Sequence, residues 1–139
     1  MSLELSSFKK AVAALEELVL RVKNKDFTKL DEVMRKGLQA GVVQNFEITY
    51  ELSWKFMKRY LEEQLGSSYV DGVSRADLFR LAAEQHLIDD IKKWRKYHEY
   101  RNLTTHTYDE EIADEVFKVA VTFVAEVKKL LTALEARND

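Results

Sequence analysis

The chain has no cysteine and no proline, and only four glycines among its 139 residues. Without cysteine there is no disulfide framework, no thiolate zinc site and no cysteine nucleophile, a pattern that fits a reducing cytosol. Without proline, and with glycine confined to Gly37, Gly41, Gly66 and Gly72, few positions force a helix to stop. No apolar run approaches the roughly 20 residues of a membrane span, and no charged-then-apolar leader opens the sequence, so a cytoplasmic chain away from membranes is expected. The three histidines, His86, His98 and His106, lack His-x3-His or His-Glu-x-x-His spacing, so no metal is expected, and nothing calls for a cofactor. Gly-x-Ser-x-Gly elbows and phosphate-cradling glycine loops are also missing. Basic residues number 22 and acidic ones 24, a net charge of −2, so affinity for a polyanion has to be local.

What is present is helical periodicity, and residues 1–139 read as a single all-α domain: an antiparallel up-and-down four-helix bundle with an extra short helix. The first helix is expected over about residues 4–23, with Phe8, Val12, Leu15, Val19 and Val22 inward. Asn24–Asp26 reads as a turn. A second helix opens near residues 31–36 and runs to about 65, weakened at Gly37 and Gly41; whether residues 28–65 form one bent helix or two stays open. In it, Val43, Phe46, Tyr50, Ser53, Met57 and Tyr60 alternate steps of three and four. Glu47, Glu51, Lys55 and Glu62 share another face, where Glu51 and Lys55 have favourable i,i+4 spacing. Residues 66–73 read as a loop, and Ser74-x-x-Asp77 as the cap of a short helix to about residue 85. A further helix spans about 89–103. The last spans about 109–137, with Ile112, Val116, Val119, Phe123, Val127, Leu130 and Leu134 inward. Thr107-x-x-Glu110 fits a capping box for its start, which places His106 just outside a helix N-terminus, where backbone N–H groups can hold an anion. His86, near the end of the short helix, reads as a partner for the helix dipole.

Between Lys92 and Arg101, five basic residues alternate with three aromatic ones. Lys92, Trp94, Arg95 and His98 are candidates for binding RNA or a nucleotide, phosphates on the cations and bases on the rings. The same pattern suits a helix whose Trp94 and Tyr97 anchor the core while its lysines face water.

The next eight residues, Arg101-Asn102-Leu103-Thr104-Thr105-His106-Thr107-Tyr108, join a permanent cation, an imidazole and a phenol. A guanidinium donates two parallel hydrogen bonds to a phosphate, and an imidazole can take and give protons, as phosphodiester cleavage requires. Five steps along an unbroken helix would turn His106 roughly 140° away from Arg101. The two converge only if the helix ends between them, and the β-branched pair Thr104–Thr105 is the place for that.

Arg101, His106 and Tyr108, spaced as Arg-x4-His-x-Tyr with the polar Asn102 after the arginine, resemble the signature of the HEPN superfamily of small helical proteins. Gln44-Asn45-Phe46-Glu47-Ile48-Thr49-Tyr50-Glu51-Leu52-Ser53-Trp54-Lys55 resembles the Gln-x-Phe-Glu-x-x-[Phe/Tyr]-Glu-Leu-[Ala/Ser]-Trp-Lys block of one branch, the nucleotidyltransferase substrate-binding protein family. Together the two stretches extend the likeness over nearly the whole chain.

The resemblance implies one of two functions. In the first, the chain is a metal-independent ribonuclease, the toxin of a two-gene toxin–antitoxin pair whose other gene encodes a minimal nucleotidyltransferase. Two protomers then meet with their Arg-x4-His segments facing, as a homodimer or within a heterotetramer with the partner. His106 serves as general acid or base, Arg101 neutralises the phosphorane and Asn102 orients it. Tyr108 is the residue that the partner nucleotidylates to neutralise the toxin. In the second, the chain is a non-catalytic subunit presenting a substrate to the transferase. No Asp-x-Asp is present to complete the Gly-Ser and Asp-x-Asp pattern of a nucleotidyltransferase, so it is not the transferase itself. From the residues alone, Tyr108 reads equally well as a hydrophobic staple packing near Ile112. A purely structural bundle is the third reading.

Overall fold

A computed structural model describes residues 3–138, and every element in it is helical. The α-helices are α1 (Ser6–Lys23), α2 (Glu32–Leu65), α3 (Ser67–Val70), α4 (Arg75–Glu84), α5 (Ile91–Leu103) and α6 (Glu110–Ala136), with 3-10 turns at Lys25–Lys29 and Thr104–His106. The all-α expectation holds. The four longest helices, α1, α2, α5 and α6, are those the sequence assigns to the bundle.

Residues 32–65 form one helix of 34 residues, about 50 Å long. Gly37 and Gly41 lie inside it without breaking it. A Cβ at Gly37 would meet nothing within 4 Å, and one at Gly41 would make ordinary contact with Leu18 at 3.7 Å, so neither glycine marks a close approach that interrupts the helix. Asp31 caps its start, accepting from the Met34 amide, and Gly66 ends it with a φ of +93°, a conformation costly for any side chain. The 66–73 segment expected as a loop contains the single turn α3, because Val70 is driven fully into the core.

Two helix ends differ from the sequence reading. Asp109, not Thr107, caps α6, accepting from the amides of Glu111 and Ile112, while the Thr107 hydroxyl donates back to the Thr104 carbonyl. A carboxylate outcompetes a hydroxyl where N–H groups and the helix dipole converge. His86, expected as a partner for the α4 dipole, is also the residue that turns the chain out of α4. Its φ is +59°, with bonds from its amide to the Ala83 carbonyl and from the Leu87 amide to the Ala82 carbonyl.

The core is an aromatic junction on Phe123 of α6. Its ring meets Phe46 (5.1 Å between centroids) and Tyr50 (6.4 Å) from α2, and Trp94 (5.6 Å) and Tyr97 (4.8 Å) from α5. Edge-on aromatic pairs contribute beyond their buried area, and here they fix α5 against α2 and α6 at once. Glu126 of α6, almost wholly buried, is neutralised by Lys93 of α5 at 2.9 Å. Locked in this way, α5 presents its last turn to the outer face of α2.

Candidate functional site

Helix α5 stops at Leu103, and a 3-10 turn over Thr104–His106 carries the chain to α6, so the break expected between Arg101 and His106 is present. The Thr104 hydroxyl donates to the Arg101 carbonyl (2.8 Å) and receives a bond from the Arg101 guanidinium (3.3 Å). A β-branched hydroxyl therefore both ends the helix and steadies the arginine. Arg101 itself is half-buried. Its Nε donates to Glu51 Oε1 at 3.0 Å and a terminal nitrogen lies 3.4 Å from Glu47 Oε1. The two carboxylates sit four residues apart on one face of α2 and hold the guanidinium by two of its nitrogens. The closer, hydrogen-bonded Glu51 fixes its direction.

Glu51 does not pair with Lys55 as its spacing suggested. Its second oxygen takes the indole N–H of Trp54 at 3.0 Å, leaving Lys55 above the Trp54 ring. Both recognisable stretches thus meet: the Glu47–Trp54 part of one holds the arginine of the other.

His106 and Tyr108 stand outside this clamp, both exposed. The imidazole Nδ1 lies 3.4 Å from the Tyr108 hydroxyl, with the rings edge-on, and Tyr108 is 84 % exposed. Such exposure is incompatible with a staple packed near Ile112. The Asn102 side chain is also exposed, on the turn that bears Arg101. The α6 amides expected to hold an anion beside His106 donate instead to Asp109. A groove of about 590 Å³ runs alongside, lined among others by Val43, Glu47, Thr104, Thr107, Tyr108 and Phe117.

Of the basic stretch of α5, Lys92 and Arg95 are exposed, as nucleic-acid contacts require. Trp94 is not: it is 1 % exposed, packed against Phe79, Tyr97 and Phe123, so its ring cannot take a base. An indole at the inward step of an amphipathic helix gains more from the core than from water. His98 is turned inward too. Its Nδ1 lies 2.8 Å from the hydroxyl of Tyr50, which also accepts from Arg75 at 3.0 Å. Burial, then the Arg75 charge, depress the His98 pKa below its ordinary 6.5, with Arg101 adding to the effect and Glu51 opposing it. Burial pushes Tyr50 up to about 12. A neutral imidazole can accept the phenol's hydrogen bond at Nδ1 while the Tyr50 oxygen accepts from Arg75.

That assignment fixes a pH dependence. Above the ordinary histidine value both folded and unfolded chains hold His98 neutral. As pH falls through it, the unfolded chain takes a proton that the folded one resists, and stability is lost down to the folded pKa. We expect Tm to fall on acidification below 6.5, and to fall less in His98→Asn, whose amide oxygen can still accept from Tyr50. Equal falls in scanning calorimetry of the two chains would remove His98 as the cause.

Sequence reasoning missed Glu47, Glu51, Tyr50 and Arg75 as parts of this site. The available signal was two glutamates at i,i+4 inside the same recognisable block, facing a motif arginine that needs a counter-charge.

An all-α chain with an arginine–histidine junction held by a glutamate-bearing helix is the class that fold and site define. The chain belongs to the family described as nucleotidyltransferase substrate binding protein like, whose family model matches residues 3–136. It is 35% identical to a Haemophilus influenzae protein named probable ribonuclease HepT, over 99% of this chain and 95% of that one. A solved Haemophilus influenzae structure, described as revealing the fold of a substrate binding domain of a nucleotidyltransferase, superposes with a TM-score of 0.90 at 34% identity, covering 95% of this chain and 99% of that one. A crystal structure of a Thermus thermophilus protein superposes with a TM-score of 0.72 at 29% identity, over 91% and 98% of the two chains. Among the described residues no helix is long and apolar enough to cross a membrane.

Proposed function

We propose that the chain is the HEPN component of a two-gene toxin–antitoxin pair, a metal-independent endoribonuclease held in check by a partner nucleotidyltransferase. The observation that carries this reading is the arrangement at the α5–α6 junction: a guanidinium fixed by Glu51 and Thr104, followed at once by the exposed Asn102, His106 and Tyr108. The name of the 35% identical Haemophilus relative supports it.

The chemistry needs no metal. An imidazole takes the proton of a ribose 2′-hydroxyl, the freed oxygen attacks the adjacent phosphorus, and the P–O5′ bond breaks. The 5′-oxygen leaves with a proton from an acid, giving a 2′,3′-cyclic phosphate and a 5′-hydroxyl. Arg101 stabilises the charge that builds on the phosphorane, having exchanged Glu47 for a phosphoryl oxygen, and Asn102 orients it. One chain carries one motif histidine. A homodimer with its junctions facing supplies two, one as base and one as acid, along with two arginines.

The second reading, a non-catalytic subunit that presents a substrate to the transferase, is favoured by the description of the 34% identical solved fold. Expression of the chain alone separates the two. Growth arrest relieved by co-expressing the partner transferase is expected of the toxin, and unimpaired growth is expected of a passive subunit. Light scattering on the purified chain should give a dimer at tens of micromolar; a strict monomer would rule out the composite site.

A further inference from the structure

We propose that Arg75 is a second phosphate-holding arginine, gripping the RNA backbone next to the phosphate bound at Arg101. The proposal rests on the ribonuclease reading and extends its site to α4.

Arg75 is the first residue of α4, directly after the Ser74 cap. Its guanidinium lies 3.8 Å from the centroid of the Trp54 ring, and one terminal nitrogen donates to the Tyr50 hydroxyl at 3.0 Å, 3.5 Å from His98 Nδ1. Those contacts fix the plane of a half-buried side chain. They engage one of its three nitrogens and leave the N–H groups on the other two open. No ion pair among the described residues includes Arg75. Arg80 pairs with Asp77 and Arg101 with two glutamates, while Arg137 binds backbone carbonyls. Arg21, Arg35, Arg59 and Arg95 also lie outside these ion pairs, but none of those four combines a ring stack with a side-chain hydrogen bond as Arg75 does. Arg75 is thus oriented in advance with its charge uncompensated, a condition that suits an anionic ligand and costs little side-chain entropy on binding.

Its position links it to Arg101. Trp54, on which Arg75 stacks, donates to one oxygen of Glu51, and the other oxygen of Glu51 receives Arg101. The two guanidinia thus bear on α2 residues one turn apart, Arg101 on Glu51 and Arg75 on Trp54. His98 and Tyr50 feel both charges. Lys55 also lies 5.8 Å from the Trp54 ring centroid, so a second cation stands near the same indole. Successive cations beside aromatic rings are how single-stranded backbones are tracked, and in this proposal a strand whose reacting phosphate lies at Arg101 places its neighbouring phosphate on Arg75.

The test uses the full chain carrying His106→Ala, so that RNA is bound but not consumed. A fluorescein-labelled single-stranded RNA oligonucleotide is titrated by anisotropy across a salt series. Adding Arg75→Gln should weaken binding about tenfold or more, the size expected for a charge-assisted contact. It should also reduce the slope of log affinity against log salt by about 0.7, one single-strand phosphate. Arg75→Lys should keep the slope. If circular dichroism shows that Arg75→Gln does not fold, Arg75→Met, which keeps an aliphatic stem over Trp54, takes its place. Unchanged affinity and slope would overturn the proposal and leave the ribonuclease reading standing. Weaker binding with an unchanged slope would overturn it too, since Arg75 would then act only by supporting Trp54. The same titration with ATP separates a backbone contact from a free-nucleotide site: ATP affinity should not depend on Arg75, and loss of ATP affinity with RNA affinity intact would also overturn it. No RNA binding by the His106→Ala chain itself would fail the underlying reading instead.

Discussion

Replacing His106 with alanine should abolish RNA cleavage and leave the protein as stable as before. The imidazole is exposed and its only side-chain hydrogen bond among the described residues is to Tyr108, so its removal leaves no cavity and no buried group without a partner. Loss of a positioned proton-transfer group costs about 10²–10⁴ in rate. Arg101→Ala should be as inactive but should behave differently on heating. It leaves Glu47 and Glu51 side by side without their shared counter-charge, so Tm should drop as well. Arg101→Lys tells the two effects apart. An ammonium restores the charge between the carboxylates but cannot reach Glu51, Glu47 and Thr104 along three fixed directions while offering a planar edge to phosphate. Stability should largely return while cleavage does not. Recovery of cleavage in Arg101→Lys would mean that the site needs only a positive charge there. Single-turnover cleavage assays read the rates, and calorimetry reads the Tm values.

Tyr108 carries the second large effect. Its phenol is 84 % exposed at the rim of the groove, 3.4 Å from the His106 ring, which leaves it open to a partner enzyme and close enough to matter to the site. In the proposed modification the phenol oxygen attacks the α-phosphorus of ATP supplied by the partner, losing its proton and expelling pyrophosphate. The attached nucleotide monophosphate brings a negative charge and a base beside Arg101 and His106. It competes with RNA phosphate for the arginine and fills the approach to the imidazole. Incubation with the partner nucleotidyltransferase, ATP and Mg²⁺ should add adenylyl mass to the intact chain and suppress cleavage by at least the factor lost in His106→Ala. Tyr108→Phe should gain no mass and stay active in the partner's presence. Additions that persist in Tyr108→Phe would place the modification on another residue.

The helices were legible because they rest on periodicity that tertiary contacts reinforce. Phe8, Val12, Leu15 and Val19 of α1, and Val116 through Leu134 of α6, are buried at the steps their spacing dictates. The break between Arg101 and His106 was legible too, since a five-residue step that an unbroken helix would split between two faces and a β-branched pair pointed to the same place. Local pattern misled where two residues competed for one role. Thr107 and Asp109 could each cap α6, and Glu51 could answer either Lys55 on its own helix or Arg101 on another. Short-range spacing cannot rank such choices, because the half-buried guanidinium enters only once α5 is docked on α2. Trp94 shows the same limit: its pattern suited a base-stacking ring and a core anchor alike, and the aromatic junction on Phe123 decided for the core.

The central claim is that this chain cuts RNA by acid–base chemistry at the Arg101–His106 junction without a metal. The most direct measurement is the 3′ end left on a single-stranded RNA after incubation with the purified chain in excess EDTA. The account predicts undiminished cleavage ending in a 2′,3′-cyclic phosphate, absent with the His106→Ala chain. Cleavage that disappears on chelation, or that His106→Ala leaves intact, would contradict it.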